Sequence, residues 1–305
     1  MLPLPHWMPS KWFDFTEAKT ATNSVLPAQK IFVKHSLFHP NKPYLVLIHG
    51  FPTSSYDWVH VWHDLARHFN LITIDMLGFG QSDKPIDCSY LFADQANLFE
   101  AVLADLNVTE FHILAHDYGD TVAQELLARQ LEGTLQGKIS SCVLLNGGIF
   151  PEVTRPILVQ KLLMSPLGYG VSQLMSFNAF RRSFDKICTR DIPLLELQVY
   201  WQLMQCNDGK KVFHLLIRYM KQRKIHRQRW AGALQHTNIP MRLINGIEDP
   251  ISGLKMVQRY QHLVAQADTI ELPQVGHYPQ VEAPDKVLAH ALDFWRQHQL
   301  LNVNR

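Results

Sequence analysis

The sequence is poor in cysteine, and its few cysteines follow no metal-binding spacing. Four cysteines occur in 305 residues, no two of them are spaced as CxxC, and the 16 histidines are scattered along the chain. A zinc site of cysteine and histidine is therefore not indicated, and unpaired thiols favour a reducing compartment. We expect a cytoplasmic protein without a metal site.

Long apolar runs are missing as well. No stretch approaches the roughly 20 apolar residues needed to cross a bilayer. Residues 1–15, MLPLPHWMPSKWFDF, lack the basic segment and unbroken apolar run of a secretory signal. We expect a soluble protein without stable membrane insertion. The segment forms an apolar arm that packs on the protein body or, alternatively, contacts a membrane surface or a partner; its apolar side chains are Trp7, Met8, Trp12 and Phe13.

An excess of charge of one sign is also absent. The 29 Lys and Arg residues against 27 Asp and Glu give a formal net charge of +2, so charge provides no case for nucleic acid or an anionic membrane as a partner. The basic segment 221–229 is typical of a solvated helix face. The alternative is that it contacts an anionic substrate or partner.

Apolar residues are plentiful, at 47% of the chain, and they fall into short continuous runs. Such runs are typical of strands buried on both faces, as in a parallel sheet. An edge-type strand pair is expected around residues 25–37, and helical spacing of apolar residues separates the later runs. This alternation predicts an α/β fold with a doubly wound, mostly parallel sheet. The runs are residues 44–48, 71–74, 111–114, 142–145 and 241–244.

The strand pattern stops near residue 150 and resumes near residue 239. Between these points the chain is rich in Leu, Met, Phe, Lys and Arg at helical spacing. We therefore expect a core formed by residues 1–150 and 231–305, with a helical cap, residues 151–230, inserted between its two parts. In such sheets the active site lies at the carboxyl ends of the strands.

The segment LAHDYGDT, residues 114–121, follows one of these runs and precedes a helical pattern. It resembles the nucleophile elbow of α/β hydrolases, in which small residues flank a nucleophile on a sharp strand-to-helix turn. Ala115 and Gly119 occupy the small positions, and Asp117 occupies that of the nucleophile. The alternative is that Asp117 merely caps the helix, since Asp is a favoured N-cap residue.

Two further segments fit the same fold. His277 lies in VGHYP near the C-terminus, where this fold carries its catalytic histidine, and Asp249 follows a strand-like run before it. Glu248 is the alternative acid. The position one strand earlier, which some relatives use for the acid, holds Asn146 here. After the first buried run, the HGFP segment resembles the loop that supplies an oxyanion-hole N–H, here from Phe51.

Together these motifs resemble the epoxide hydrolase and haloalkane dehalogenase branch of the α/β hydrolases, over residues 25–150 and 231–305. Within that branch, residues 116–129, 145–152, 207–210 and 229–234 are most similar to the mesoderm-specific transcript group. The resemblance implies that the second oxyanion-hole N–H belongs to Tyr118.

The departures from the branch narrow the function that the resemblance implies. Dehalogenases usually carry Trp and Asn as halide donors where this chain has Tyr118 and Phe51, and fluoroacetate dehalogenases carry arginines where it has Asp120 and Thr121. HGFP is common in epoxide hydrolases, which also need cap tyrosines to protonate the opening epoxide. The candidates are Tyr169, Tyr200 and Tyr219.

A carboxylate nucleophile further favours attack on a saturated carbon, because attack on an ester would give an anhydride. We therefore expect a hydrolase that acts on small apolar molecules through a covalent alkyl ester, without a metal or organic cofactor. The alternatives are a dehalogenase with unusual halide donors and a non-catalytic binding protein on a hydrolase scaffold.

Overall fold

Each of the five apolar runs forms a strand of one sheet in the computed structural model, which describes residues 7–20 and 22–301. The strand order is β1-β2-β4-β3-β5-β6-β7-β8. The strands are β1 Lys11–Phe15, β2 Gln29–His35, β3 Tyr44–Ile48, β4 Asn70–Ile74, β5 Glu110–His116, β6 Lys138–Leu145, β7 Met241–Gly246 and β8 Thr269–Leu272. The pairs β1–β2 and β2–β4 are antiparallel, and the pairs from β4 to β8 are parallel. The mostly parallel α/β sheet is confirmed.

The edge pair differs from the expectation in one strand. β2 lies within residues 25–37, but its partner β1 lies earlier, at Lys11–Phe15. The sequence KWFDF alternates partly exposed and exposed side chains until Phe15, which is typical of an edge strand rather than a buried one. β1 therefore lacks the continuous apolar signal that identified the central strands.

Alternating residues of the central strands supply two apolar cores, one on each face of the sheet. In β3, Val46 and Ile48 face one core while Leu45 and Leu47 face the other. Helices α1 (Val59–Ala66) and α13 (Pro284–Gln297) cover the second face. The first face is covered by α2 (Phe92–Asp105), α3 (Tyr118–Glu132) and α11 (Leu254–Leu263).

Helices alone connect β6 to β7 in the part of the chain that the structure describes. They are α4 Leu158–Leu163, α5 Gly168–Leu174, α6 Phe177–Ile187, α7 Leu194–Gln205, a 3₁₀ helix Cys206–Lys211, α8 Phe213–Leu216, α9 Tyr219–Ile225 and α10 Arg227–His236. Their buried side chains join the apolar core of the first face. α10 begins before residue 230, where we placed the end of the cap, and packs against α3.

The aromatic segment near the N-terminus divides into a buried and an exposed part. The Trp7 indole Nε1–H donates to Ser55 Oγ at 2.9 Å, and its ring packs edge-on against Tyr56 and Trp62. Met8, by contrast, is 59% exposed. The arm therefore packs on the body through Trp7. No helix among the described residues is long and apolar enough to cross a membrane.

Candidate active site

Asp117 lies on the sharp turn between β5 and α3, with φ 47° and ψ −102°. Positive φ in a non-glycine residue costs on the order of 1–3 kcal/mol and is found mainly at functional sites. The backbone can pack closely around this turn only because the residues at 119 and 50 are glycines. A Cβ on Gly119 would lie 2.2 Å from the Ile48 carbonyl oxygen, and one on Gly50 would lie 2.7 Å from His116 Nδ1. The small residues of the elbow motif thus have a steric cause.

The Asp117 carboxylate does not cap the helix that follows it. Its side chain makes no capping hydrogen bond to α3. Instead, Oδ2 accepts a hydrogen bond from the Phe51 backbone N–H at 3.2 Å. The Tyr118 N–H begins α3, and such N–H groups have no acceptor within their own helix. The two backbone donors of the expected oxyanion hole thus belong to the loop after β3 and to the first turn of α3.

The loops after β7 and β8 bring Asp249 and His277 together. His277 Nδ1 lies 2.8 Å from Asp249 Oδ2, and both residues are buried. Glu248, the alternative acid, is exposed to solvent. The contact with His277 is therefore made by Asp249, and Nδ1 carries the hydrogen because an ionised carboxylate only accepts.

Asp249 is held by several donors besides His277. Ser252 Oγ donates at 2.6 Å and the Ile251 N–H at 2.8 Å. Asn146, at the alternative acid position, donates its Nδ2–H to Asp249 Oδ2 at 3.0 Å. An asparagine at this position predicts that no second acid is present there. In the structure Asn146 instead contributes a hydrogen bond to Asp249.

The two members of this pair shift each other's pKa in opposite directions. Burial opposes a charge on His277, but the carboxylates of Asp249 and Asp117 outweigh it and raise the pKa of His277 to about 9. Burial alone would raise the pKa of Asp249, but the His277 charge and the donors around it hold that pKa below its usual range. The neighbouring carboxylates therefore favour the protonated form of His277.

This coupling predicts a pH-dependent stability. Because the pKa of His277 is raised from 6.5 to about 9 on folding, the pair stabilises the protein fully below pH 6.5. That stabilisation, about 3 kcal/mol, is lost as pH rises through 9. In Asp249→Asn the loss should become much smaller, because only the weaker effect of the other carboxylates on the pKa of His277 remains; denaturant unfolding at both ends of this range measures it. Glu248→Gln, the matched exposed acid, should keep the wild-type slope. An unchanged slope in Asp249→Asn would contradict the coupling.

The structure separates the three candidate cap tyrosines. Tyr169, on α5, is 52% exposed and packs on His214. Tyr200 is buried and donates its hydroxyl to Glu196 Oε1 at 3.2 Å. Tyr219, on α9, packs its ring 5.7 Å from that of Phe51, and burial together with the charge of Asp117 raises its pKa. Of the three, Tyr219 lies beside the turn that carries Asp117.

Arg223 is a residue of this site that the sequence did not identify. Arg223 lies on α9, and its side chain is 4% exposed. Its Nη2 donates a hydrogen bond to the Asp117 carbonyl oxygen at 2.8 Å. Nε donates to Thr121 Oγ1 at 2.8 Å, and the guanidinium carbon lies 4.6 Å from the centre of the Tyr219 ring. The one indication of such a residue in the sequence is the basic segment 221–229. Helical spacing alone, however, does not show that one of its arginines points inward.

A small apolar cavity adjoins His277 between the cap and the core. Its volume is about 50 Å³, well below the roughly 300 Å³ and above of most ligand pockets. A substrate of more than a few atoms therefore needs more room than this cavity has. The lining includes Phe51, Ile157, Leu163, Phe180, Phe184, Phe213 and Ile251. Among the described residues, no group of three His, Cys, Asp or Glu side chains is placed to hold a metal ion.

The amino-acid sequence is similar to those of known proteins. The family described as alpha/beta hydrolase fold matches residues 43–284. The chain is 39% identical over 265 residues to the putative hydrolase LipZ of Mycobacterium tuberculosis, covering 86% of this chain and 91% of LipZ. It is 38% identical over 299 residues to the mesoderm-specific transcript protein of Mus musculus, covering 93% and 87%.

A solved structure extends the likeness to the fold. The epoxide hydrolase CorEH superposes with a TM-score of 0.73 at 16% identity, covering 94% of this chain and 99% of that one. At this identity the likeness concerns architecture alone. From the family match and the similarity to LipZ and the mouse protein, the chain belongs to the α/β-hydrolase fold family.

Proposed function

We propose that this protein is a hydrolase that opens small, largely apolar epoxides through a covalent ester on Asp117. The observation that carries this proposal is the Asp117 carboxylate on the strained turn, with Oδ2 on the Phe51 N–H. The buried His277–Asp249 pair on neighbouring loops supports it. The apolar lining of the cavity at His277 suits an uncharged reacting centre.

In the first step, Asp117 Oδ1 attacks an epoxide carbon. Oδ2 is engaged by the Phe51 N–H, which leaves Oδ1 as the attacking atom. The new C–O bond forms as the ring C–O bond breaks, and the released oxygen takes a proton. Tyr219 is the proposed donor, because it lies beside the turn, and it becomes a phenolate as it gives up its proton. Burial and the charge of Asp117 raise the pKa of Tyr219, so loss of that charge on ester formation makes the tyrosine a stronger acid at this step. The product of this step is an alkyl ester.

In the second step, His277 acts as general base. Ester formation removes the charge of Asp117, one of the charges that raise the pKa of His277, so the histidine releases its proton to solvent more readily, and solvent returns a proton to the Tyr219 phenolate. His277 then takes a proton from water, which attacks the ester carbonyl. The N–H groups of Phe51 and Tyr118 stabilise the oxyanion. Collapse breaks the ester C–O bond, His277 gives the proton it took to the leaving alkoxide, the diol leaves, and the Asp117 carboxylate is restored. Such a donor is worth on the order of 10²–10³ in rate.

The small cavity favours a second candidate, a non-catalytic binding protein on the same scaffold. A closed cap over about 50 Å³ leaves little room for substrate. Such a protein, however, has no need for a strained aspartate. Nor does it need the buried, fully bonded His277–Asp249 pair. These features favour the enzyme, and turnover decides between the two.

A single-turnover experiment in H₂¹⁸O tests the proposed chemistry. With enzyme in excess over styrene oxide, we expect the first diol to carry unlabelled oxygen from Asp117, and the peptide containing Asp117 to gain ¹⁸O. Mass spectrometry of the product and of the digested protein measures both. Direct attack by water would place ¹⁸O in the diol and none in the protein, which would exclude the ester. Halide release from hexyl bromide, measured in parallel, would indicate a dehalogenase.

A further inference from the structure

The charge of Arg223 is incompletely compensated. The nearest carboxylate oxygen, Asp117 Oδ1, lies 3.5 Å from Nη2, and this is its one ion pair among the described residues. Arg229, on the next helix, pairs with two oxygens of Glu125 at 2.8 and 3.2 Å although it is more exposed. Buried cations normally have close, well-formed carboxylate partners. Arg223 is the exception in this region.

The proposed reaction would remove even this partner. When Asp117 becomes an ester its carboxylate charge is lost. No other carboxylate in the described ranges lies within ion-pair distance of Arg223. Asp120 is also buried near Arg223, but burial raises its pKa well above the usual range and so disfavours its ionised form. The guanidinium would then face the intermediate without a carboxylate at ion-pair distance, which is costly in a site of low dielectric constant. An anionic group on the substrate itself would supply the missing charge.

Arg223 also lines a second cavity, which opens between α9 and the start of the cap. Its volume is about 300 Å³. Besides Arg223 it is lined by Lys221 and Lys224, by Thr154, and by the apolar residues Pro151, Pro156, Met164 and Met220. No acidic residue belongs to this lining. The cavity therefore combines positive charge with apolar walls.

The lysines of this cavity are available to a ligand. Both Lys221 and Lys224 are exposed, and no ion pair involves either of them within the described residues. The acid that precedes the cavity in the chain, Glu152, is already bound by Arg227 and Arg259. The field in the cavity is thus positive, which favours an anion.

We propose that this cavity and Arg223 form a carboxylate-binding site, and that the substrates of the enzyme are epoxides carrying a carboxylate. This inference rests on the proposed function. The Nη2–Oδ1 distance of 3.5 Å places the guanidinium beside the attacking atom. A carboxylate beside this guanidinium would therefore lie within a few bonds of the carbon that Asp117 attacks, while Nε and Nη2 keep their hydrogen bonds to Thr121 and to the Asp117 carbonyl. The apolar remainder would extend toward the cavity at His277, which must widen to hold more than a few atoms.

Matched acid and amide probes test this site. The probes are phenylglycidate against phenylglycidamide, and para-carboxystyrene oxide against its carboxamide, which place the carboxylate at two distances from the epoxide. For at least one pair, we expect the wild-type enzyme to prefer the acid by on the order of 10- to 100-fold in kcat/KM. Arg223→Met should reduce that ratio to near one. Arg223→Lys, which keeps the charge but loses the fork, should retain part of it.

Arg182→Met is the matched control, because it removes an exposed arginine of α6 that lines neither cavity, and it should leave the ratio unchanged. Arg223 also donates a hydrogen bond to the Asp117 carbonyl, so its loss should slow the reaction of both acid and amide. The acid-to-amide ratio of kcat/KM therefore distinguishes recognition of the substrate carboxylate from positioning of Asp117. Equal losses for acid and amide in Arg223→Met would overturn the proposal, as would a wild-type ratio near one for both pairs.

A binding measurement separates this inference from the reaction. Phenylacetate and phenylacetamide contain no epoxide, and calorimetry should show that wild-type protein binds the acid more tightly and that Arg223→Met does not. If no epoxide reacts but phenylacetate binds through Arg223, the proposed function fails while the carboxylate site stands. Equal affinity for acid and amide would overturn the site whatever the activity.

Discussion

Asp117→Ala is expected to abolish epoxide turnover, with a loss in kcat on the order of 10⁴–10⁶. The proposed mechanism forms its covalent bond to this carboxylate. Asp120, the buried acid on the first turn of α3, has its pKa raised well above the usual range by burial and by the charge of Asp117, which disfavours the ionised form that a nucleophile needs, and the remaining acid of the site is engaged elsewhere. Asp249 accepts from His277, Ser252, Ile251 and Asn146. Because no second nucleophile can replace Asp117, the loss should appear in kcat rather than in KM. Steady-state kinetics on an epoxide that the wild type hydrolyses measures it.

The control for this variant is an acid outside the site. Asp64 lies on α1 in an exposed pair with Arg67, and exposed pairs contribute little to stability. Asp64→Ala should therefore keep wild-type kinetics. Thermal unfolding of both variants shows whether the fold is intact. Wild-type turnover by a folded Asp117→Ala protein would mean that Asp117 is not the nucleophile.

The fold could be predicted because its signals are local and strong. Central strands buried on both faces must be continuously apolar, so the runs at 44–48 and 241–244 mark β3 and β7 directly. The elbow is equally local, since a sharp turn at Asp117 requires a small residue at 119. β1 could not be predicted in this way, because an edge strand needs no continuous apolar run.

Parts of the site depend on tertiary structure that no local pattern encodes. The order of strands placed Asp249 and His277 at one edge of the sheet, and the structure brings them to 2.8 Å. Arg223 and Tyr219 come from a cap helix, whose position depends on packing between elements distant in sequence. Helical periodicity therefore could not show which of the three candidate tyrosines lies near Asp117. It also could not show that Arg223 points inward while its neighbouring lysines face solvent.

His277→Gln is expected to stop the reaction at the ester. Glutamine cannot accept a proton from water, so hydrolysis of the ester should slow on the order of 10²–10⁴-fold. Attack by Asp117 does not use His277 as a base. The variant should therefore release little diol and accumulate protein whose intact mass has risen by one substrate molecule.

The location of that mass makes this experiment decisive. Peptide mapping should place the adduct on Asp117, and the double variant Asp117→Ala with His277→Gln should remain unmodified under the same conditions. Asp249→Asn should accumulate less adduct than His277→Gln, because its histidine remains and loses only the partner 2.8 Å away that orients it. An adduct on another residue, or full diol release by His277→Gln, would contradict a carboxylate nucleophile with a histidine base.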